Sequence, residues 1–393
     1  MSSLPARMCL AGWLVAGVSA CGVMPSEVRG AFVGARRVDI TITVPPGHEN
    51  ERERDMYAAL TTLKILGAWL PPFADSTLAI SADGTRWWTA DAAMTPEYAV
   101  ARAVSRRYWE RAIDTRALPP WFLGGLVEYC ARRAVSKIVD ERYLAVYRSR
   151  AEARYFGAFV PHDLRIPLRV EDQGEPIDAY RSRPRGRDRD ALEAKSLLTL
   201  GTLERWVGRP VFDEVIAAFA REGGQPSLYS FARLARRISG QDLTWFFDQT
   251  LASDGVIDYG ISALSSDLQP DGWYKTTVAV QRLGDAVFTG ANGGSDDLFE
   301  HGRGVVVATT FADGESVRDA WDGRSSARMF EYRSRSRAVS AEVDPDRVLL
   351  LDLNRGNNGV TLDSEPARTA ATRWAARWMI WLEDALLTYV AFT

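Results

Sequence analysis

Residues 239–249 read SGQDLTWFFDQ, and they close the part of the chain in which apolar residues repeat most clearly at helical spacing. Glycines at 223 and 224 and a Ser-Gly pair at 239 and 240 divide this part into segments. The apolar faces of two segments are formed by Val211, Phe212, Val215, Ile216 and Phe219, and by Leu228, Phe231, Leu234 and Ile238. This pattern predicts a helical bundle over residues 191–252.

Beyond Tyr259 the apolar period changes from helical to alternating. The alternating positions are Val278 and Val280; Val305, Val307, Thr309 and Phe311; Phe330 and Tyr332; Val339, Ala341 and Val343; Val348 and Leu350. Turn-forming pairs such as Asp313-Gly314 and Asp322-Gly323 separate these runs. The sequence therefore predicts an antiparallel β-sandwich over residues 261–360.

The chain before the bundle mixes both periods. Alternation from Val38 to Val44 predicts a strand over 36–44, and apolar spacing predicts a helix over 51–67 and a short strand at TLAIS. Helices are predicted from Pro96 to about residue 156, divided at Pro119 and Pro120. Residues 161–190 are rich in Pro, Gly and charge and are predicted to form a solvated surface loop.

Composition restricts the class of protein. The chain has 393 residues, of which 46% are hydrophobic and 25% charged, which is typical of globular proteins and excludes a disordered chain and a multi-span membrane protein. A net charge of −3 gives no overall attraction to nucleic acid. Five arginines alternate in the predicted loop at 181, 183, 185, 187 and 189, but no aromatic residue interleaves with them. No nucleic-acid partner is expected.

The two ends of the chain suggest a cell-envelope protein. Residues 1–30 contain an apolar run that leads to Cys21, which is typical of a signal peptide or lipoprotein signal; a buried strand or a misplaced start codon is the alternative. Residues 365–393 carry Trp374, Trp378 and Trp381 at helical spacing. This amphipathic helix is predicted either to lie on a membrane surface or to dock on the core.

Two stretches resemble membrane alanine aminopeptidases, which are gluzincin metallopeptidases. The longer stretch is Lys195–Gly260, which includes SGQDLTWFFDQ, and the shorter is WFLGGLVEY at residues 121–129. The resemblance implies an α+β fold, with a mostly helical, thermolysin-like catalytic-lobe scaffold over residues 36–260 before the sandwich and the C-terminal helix. The large N-terminal β domain of that family has no counterpart in this sequence.

The family holds zinc with an H-E-x-x-H helix and a later glutamate. Aligning that glutamate with Gly124 places the histidines at Ala101 and Ser105 and the general base at Arg102. A register shifted by one places the histidines at Arg102 and Arg106 and the general base at Ala103. The family's transition-state tyrosine aligns with Glu193. The resemblance therefore implies a degenerate member with no catalytic residues, no metal ligands and no cofactor. Its vestigial binding cleft is predicted to comprise Arg102, Ser105, Arg106, Gly124, Glu128 and Glu193.

Other residues do not supply the missing chemistry. His48, His162 and His301 share no helix face, and Glu97, Glu110 and Glu128 flank the cleft without an imidazole. Cys130 is interpreted as a small buried residue because no histidine lies near it in sequence.

Three functions follow as hypotheses. The first is an inactive, pseudo-metallopeptidase scaffold of the cell envelope that binds a peptide or protein. The alternatives are an active zinc metallopeptidase with non-standard ligands and a structural, membrane-associated subunit. A secondary hypothesis gives Arg102, Arg106 and Arg107 an anionic ligand such as a peptide carboxylate; otherwise these arginines are solvated or pair with Glu97 and Glu110.

Overall fold

The computed structural model describes residues 26–33, 36–44, 49–81, 96–138, 186–222, 226–253, 255–288 and 304–362. Its helices are α1 Arg52–Trp69, α2 Pro96–Ala112, α3 Pro120–Val135, α4 Gly186–Val207, α5 Arg209–Arg221, α6 Leu228–Ser239 and α7 Thr244–Thr250. Its strands are β1 Ser26–Val33, β2 Arg36–Thr43, β3 Thr77–Ser81, β4 Tyr259–Leu268, β5 Tyr274–Arg282, β6 Val305–Phe311, β7 Ser316–Trp321, β8 Ala327–Ser334, β9 Ala338–Val343 and β10 Gly359–Thr361. The chain thus combines helices with mostly antiparallel sheets, which makes it an α+β protein.

A small mixed sheet is formed by two strands before α1 and one strand after it. Strand β2 pairs with β1 in the antiparallel sense and with β3 in the parallel sense. The side chains of Val38, Ile40 and Ile42 alternate along β2 and are buried, so the predicted strand at 36–44 is confirmed. Strand β1 begins at Ser26, within the predicted signal segment 1–30, and the first 25 residues lie outside the described ranges.

The helices begin and end where the sequence punctuates them. Helix α2 starts at Pro96 and α3 at Pro120, because proline suits the first helical turn, where its missing N–H has no intrahelical partner. Helix α6 ends at Gly240, which adopts a left-handed conformation with φ +67°. The prediction of a loop over 161–190 is wrong for its last five residues, because α4 already starts at Gly186. Residues 161–185 lie outside the described ranges.

Aromatic side chains fill the interior of the helical part. Phe231 on α6 packs against Phe122 on α3 and Phe219 on α5, with ring centroids 5.3 Å apart in each case. Phe247 of the quoted stretch lies 6.2 Å from Phe231. All three contacts are edge-on, the arrangement that the aromatic quadrupole favours. The apolar faces predicted for the helical bundle therefore pack against each other, with the Phe231 ring between them.

The strands after Tyr259 form two sheets. One sheet has the order β4-β5-β8 and the other β10-β9-β6-β7. The prediction of a final strand at Val348 and Leu350 is wrong, since residues 344–358 form a turn-rich segment in which only Asp352 makes an isolated bridge, to Ile257. Leu350 packs on Gly201 of α4, and its N–H donates to the Thr202 hydroxyl at 3.2 Å. This segment therefore joins the sheets to the helices.

Two buried aspartates organise that segment. The Asp344 carboxylate accepts from the N–H groups of Val348 and Leu349, both at 2.8 Å. The Asp352 carboxylate accepts from the Tyr259 N–H at 3.3 Å and from the Asn358 amide at 3.2 Å. Burial raises the pKa of Asp344 to about 6 and that of Asp352 to about 7, against the hydrogen bonds that favour the charged form.

The C-terminal residues 365–393, with Trp374, Trp378 and Trp381, lie outside the described ranges. None of the helices within those ranges is both long enough and apolar enough to cross a membrane.

The raised pKa of Asp352 predicts a pH-dependent stability. Because its folded pKa lies above the unfolded value near 4, the native state binds more protons than the unfolded chain between about pH 4 and pH 7. Its contribution to the free energy of unfolding therefore falls as pH rises through that window, by at most about 1.4 kcal/mol per pH unit. We expect urea unfolding between pH 5 and pH 8 to show a shallower fall for Asp352→Asn. The exposed-site variant Asp267→Asn is the control, and equal slopes in all three proteins would contradict the prediction.

The aromatic interior predicts a second, larger effect. Replacing Phe231 with alanine removes the ring that three others contact and leaves a cavity, so Phe231→Ala is expected to lower the free energy of unfolding by about 3–5 kcal/mol. Tyr229 lies on the same helix but its side chain is 56% exposed, so Tyr229→Ala should change the free energy of unfolding by less than about 0.5 kcal/mol. Urea unfolding of both variants is the measurement.

Candidate functional site

The predicted cleft residues lie where three helices pack together. Helix α2 packs on α3, and α3 packs on α4. One turn of α2 brings Tyr98 and Arg102 to the same side, and one turn of α3 does the same for Gly124 and Glu128. Glu193 lies in the first half of α4. Packing therefore places residues from positions 98 to 193 around one point.

Arg102 is at the centre of this arrangement. Its Nε lies 2.6 Å from Glu128 Oε1, and its Nη2 lies 3.3 Å from Glu193 Oε2. The Tyr98 hydroxyl donates a hydrogen bond to Glu128 Oε2. Both glutamates are buried, whereas the Arg102 side chain is 34% exposed. These four residues are called the Arg102 cluster below.

The cluster is held by charge. Burying two carboxylates is costly unless each has a partner, and one guanidinium with five N–H donors can serve both. The cluster as a whole carries one negative charge in excess. Breaking such a buried pair by removing one member typically costs about 3–5 kcal/mol, because the other charge is left without compensation.

Gly124 determines where Glu193 can lie. A Cβ atom at position 124 would be 2.4 Å from the Glu193 carboxyl carbon, and a Cβ at Gly125 would be 2.1 Å from the Ser196 hydroxyl oxygen. The two glycines therefore let α3 approach α4 more closely than any larger residue would allow. The Glu193 side chain occupies the space that a side chain at position 124 would need.

The other two predicted cleft residues are less closely tied to the cluster. The Ser105 side chain is fully buried, and its hydroxyl makes no hydrogen bond to any residue that the structure describes. Arg106 is partly buried on the same helix. Their membership of a binding cleft stays a prediction.

Of the arginines that the sequence analysis expected to be solvated or to pair with Glu97 and Glu110, one pairs with Glu110 and another has different partners. Arg107 pairs with Glu110 at 3.2 Å, as predicted. Arg102 pairs with Glu128 and Glu193 instead of Glu97, whose carboxylate lies 3.8 Å from Arg54. The reason is geometric, since the partners of Arg102 are on α3 and α4, the helices that pack beside it.

The residues of the Arg102 cluster do not fit a zinc ion. Both carboxylates already lie against a guanidinium, whose positive charge would repel a divalent cation. Within the described ranges, no group of three His, Cys, Asp or Glu residues is arranged to hold a metal. His48, His162 and His301 all lie outside those ranges. No reaction step through zinc is therefore derived for these residues.

Cys130 follows the interpretation made from sequence. Its side chain is completely buried in α3, and burial raises the pKa of its thiol to about 12. A raised pKa favours the protonated thiol at neutral pH, which agrees with the interpretation of Cys130 as a small buried residue.

Tyr98 is the member of the cluster that sequence reasoning missed. Its hydroxyl is buried and bonded to Glu128, 30 positions away. The available signal was its spacing of four residues from Arg102 on a helix, which puts both on one side. That spacing alone does not reveal a partner on another helix.

Comparison with known proteins gives structural neighbours only. No protein-family model matches the chain, and no curated protein matches it. The crystal structure of Legionella pneumophila aminopeptidase A in complex with aspartic acid is similar over 84% of this chain, with 14% identity and a TM-score of 0.48. The chain spans only 38% of the length of that protein.

Two further neighbours are structures of a variant M1 zinc metallopeptidase from Deinococcus radiodurans, one of them bound to a Tyr-Ser-Ala substrate. They are 17% and 18% identical to this chain, and each has a TM-score of 0.38. In both, 58% of this chain and 52% of the other are covered. The structural neighbours are thus M1 aminopeptidases, which belong to the gluzincins, at low identity and partial coverage.

The close approach at Gly124 predicts a coupled pair of substitutions. Gly124→Ala is expected to lower the free energy of unfolding by about 1–3 kcal/mol, because the new methyl group overlaps the Glu193 carboxyl group. In a Glu193→Ala background the same change should cost much less, since the space is then free. Urea unfolding of the four proteins of this double-mutant cycle gives the coupling. Additive effects would contradict the proposed overlap.

Proposed function

We propose that this chain is a non-catalytic, peptide- or protein-binding protein on an aminopeptidase-like scaffold. The observation that carries the proposal is the Arg102 cluster. Arg102, Gly124 and Glu193 are the positions to which the family resemblance gives the general base, the third zinc ligand and the transition-state tyrosine, and the three lie together.

The chemistry of the cluster supports a binding role over hydrolysis. A guanidinium has no acceptor and stays protonated, so Arg102 cannot remove a proton from water as a general base does. A carboxylate at position 193 would repel the negative charge that develops on a carbonyl oxygen during peptide hydrolysis, where a tyrosine hydroxyl would stabilise it. Each replacement therefore opposes catalysis.

The same cluster retains a means of holding a peptide. Glu128 and Glu193 each contact one nitrogen of Arg102, and about a third of that side chain remains exposed. The remaining guanidinium donors suit peptide carbonyl oxygens, which accept hydrogen bonds and carry no net charge. Because the two buried carboxylates outnumber the one guanidinium, the cluster does not attract anions in general.

The cell envelope is proposed as the location on the grounds given by the two ends of the chain. A membrane surface would be reached through lipidation at Cys21 or through the amphipathic helix that the sequence predicts around Trp374, Trp378 and Trp381. A structural, membrane-associated subunit remains the alternative of the same class, and it requires no ligand in the cleft.

Metal content and hydrolysis measured on one sample test the proposal. We expect full-length protein purified without chelator to contain well under one zinc ion per chain by mass spectrometry. The same sample should show no chelator-sensitive hydrolysis of aminoacyl-coumarin substrates, because Ala101, Ser105 and Gly124, at the positions that the resemblance gives to the zinc ligands, cannot bind zinc as imidazole and carboxylate groups do. Stoichiometric zinc with chelator-sensitive turnover would overturn the proposal in favour of an active metallopeptidase with other ligands.

A further inference from the structure

The outward face of helix α6 is strongly basic. Its apolar side, which includes Phe231 and Leu234, is buried in the core. Arg233, Arg236 and Arg237 are exposed on the other side, in the last two turns of the helix. Cations near the last turn stabilise a helix through its dipole, which accounts for positive charge at this end.

The dipole does not account for the shape of the surface around these arginines. They border an open groove of about 470 Å³, whose other lining residues are Gly240, Gln241 and Asp242. No heavy atom lies within 4 Å of where a Cβ of Gly240 would be, so the groove is open at the point where the helix ends.

The lining residues that follow α6, Gln241 and Asp242, are held by hydrogen bonds. Gln241 Oε1 accepts a hydrogen bond from the Trp206 indole at 3.0 Å. The Asp242 carboxylate accepts from the N–H and the hydroxyl of Thr244, at 3.1 and 2.7 Å, and these bonds lower the pKa of that carboxyl. The groove is therefore preformed and carries a fixed negative charge at one side.

The arginines are not equally compensated. Arg233 pairs with Glu222, and Arg236 Nε lies 3.6 Å from Asp242 Oδ1. Arg237 makes no ion pair with any residue in the described part of the chain. Two of the three arginines that line the groove thus pair with a carboxylate, and within the described residues the third, Arg237, has no such pair.

This arrangement favours one kind of partner. An anionic membrane surface or a continuous phosphate backbone would place negative charge against Asp242 and Glu222 as well as against the arginines. A peptide segment with separated carboxylates can place one at Arg237 and keep its other charges away from those two acids. We propose that the groove beside α6 binds an acidic segment of a partner protein, with Arg237 as its principal contact.

Fluorescence anisotropy of the full-length protein tests this proposal. The probe is a fluorescein-labelled Glu-Gly-Glu-Gly-Glu peptide, compared with its glutamine analogue. We expect the glutamate peptide to bind more tightly, and Arg237→Gln to weaken its binding by about fivefold, the effect of about 1 kcal/mol expected for an exposed ion pair. Arg318→Gln is the matched control, because Arg318 is an exposed arginine on β7. It should change binding by less than about twofold.

Three outcomes would overturn the proposal: equal binding of the two peptides, equal effects of Arg237→Gln and Arg318→Gln, or tighter binding of a single-stranded oligonucleotide that depends on Arg237. The last outcome would assign the groove to nucleic acid. The assay involves neither zinc nor hydrolysis, so its result is independent of whether the Arg102 cluster is catalytically inactive.

Discussion

Two glutamates buried between helices require a cation, and Arg102 supplies it. The ion pairs reach from α2 to α3 and to α4, so one guanidinium connects three helices that are distant in sequence. The arrangement also depends on Gly124, since α3 and α4 could not approach with the Glu193 carboxyl group between them if position 124 had a side chain. A packing that separated α2 from α3 or α4 would leave Glu128 or Glu193 without this cation, which is costly for a buried carboxylate.

The network also determines what the site can do. A site for peptide hydrolysis needs a base, a metal or acid that polarises the carbonyl, and donors directed at the developing oxyanion. The Arg102 cluster has a permanently charged cation at its centre and two carboxylates that both lie against this cation. Recognition by hydrogen bonding is compatible with such a group, whereas proton transfer is not. The groove beside α6 is a second surface, and it is basic. Within the described residues its Arg237 makes no ion pair.

The sequence predicted most of the helices and strands, but it did not predict which residues of different elements contact each other. Apolar periodicity identified the faces of α5 and α6, because burial alone decides which side of a helix is apolar. It failed at Val348 and Leu350, where alternating apolar residues pack on a helix without extending a sheet. The partners of Arg102 could not be predicted either, since several carboxylates lie within a few turns and only the packing of α2, α3 and α4 selects Glu128 and Glu193.

The segment from Asp344 to Asn358 bears on how the chain folds as it is synthesised. Leu350 packs on Gly201, and its N–H donates a hydrogen bond to the Thr202 hydroxyl. The Asp352 carboxylate accepts a hydrogen bond from the Tyr259 N–H. Groups near residues 200 and 259 therefore gain these partners only from residues about 90 to 150 positions later in the chain. The helical part that leaves the ribosome first therefore carries an unfinished surface until nearly the whole sandwich has emerged. Contacts of such long range slow folding. The nascent chain would be most vulnerable to aggregation and proteolysis during that interval, and the last turns of the sandwich would complete both halves together.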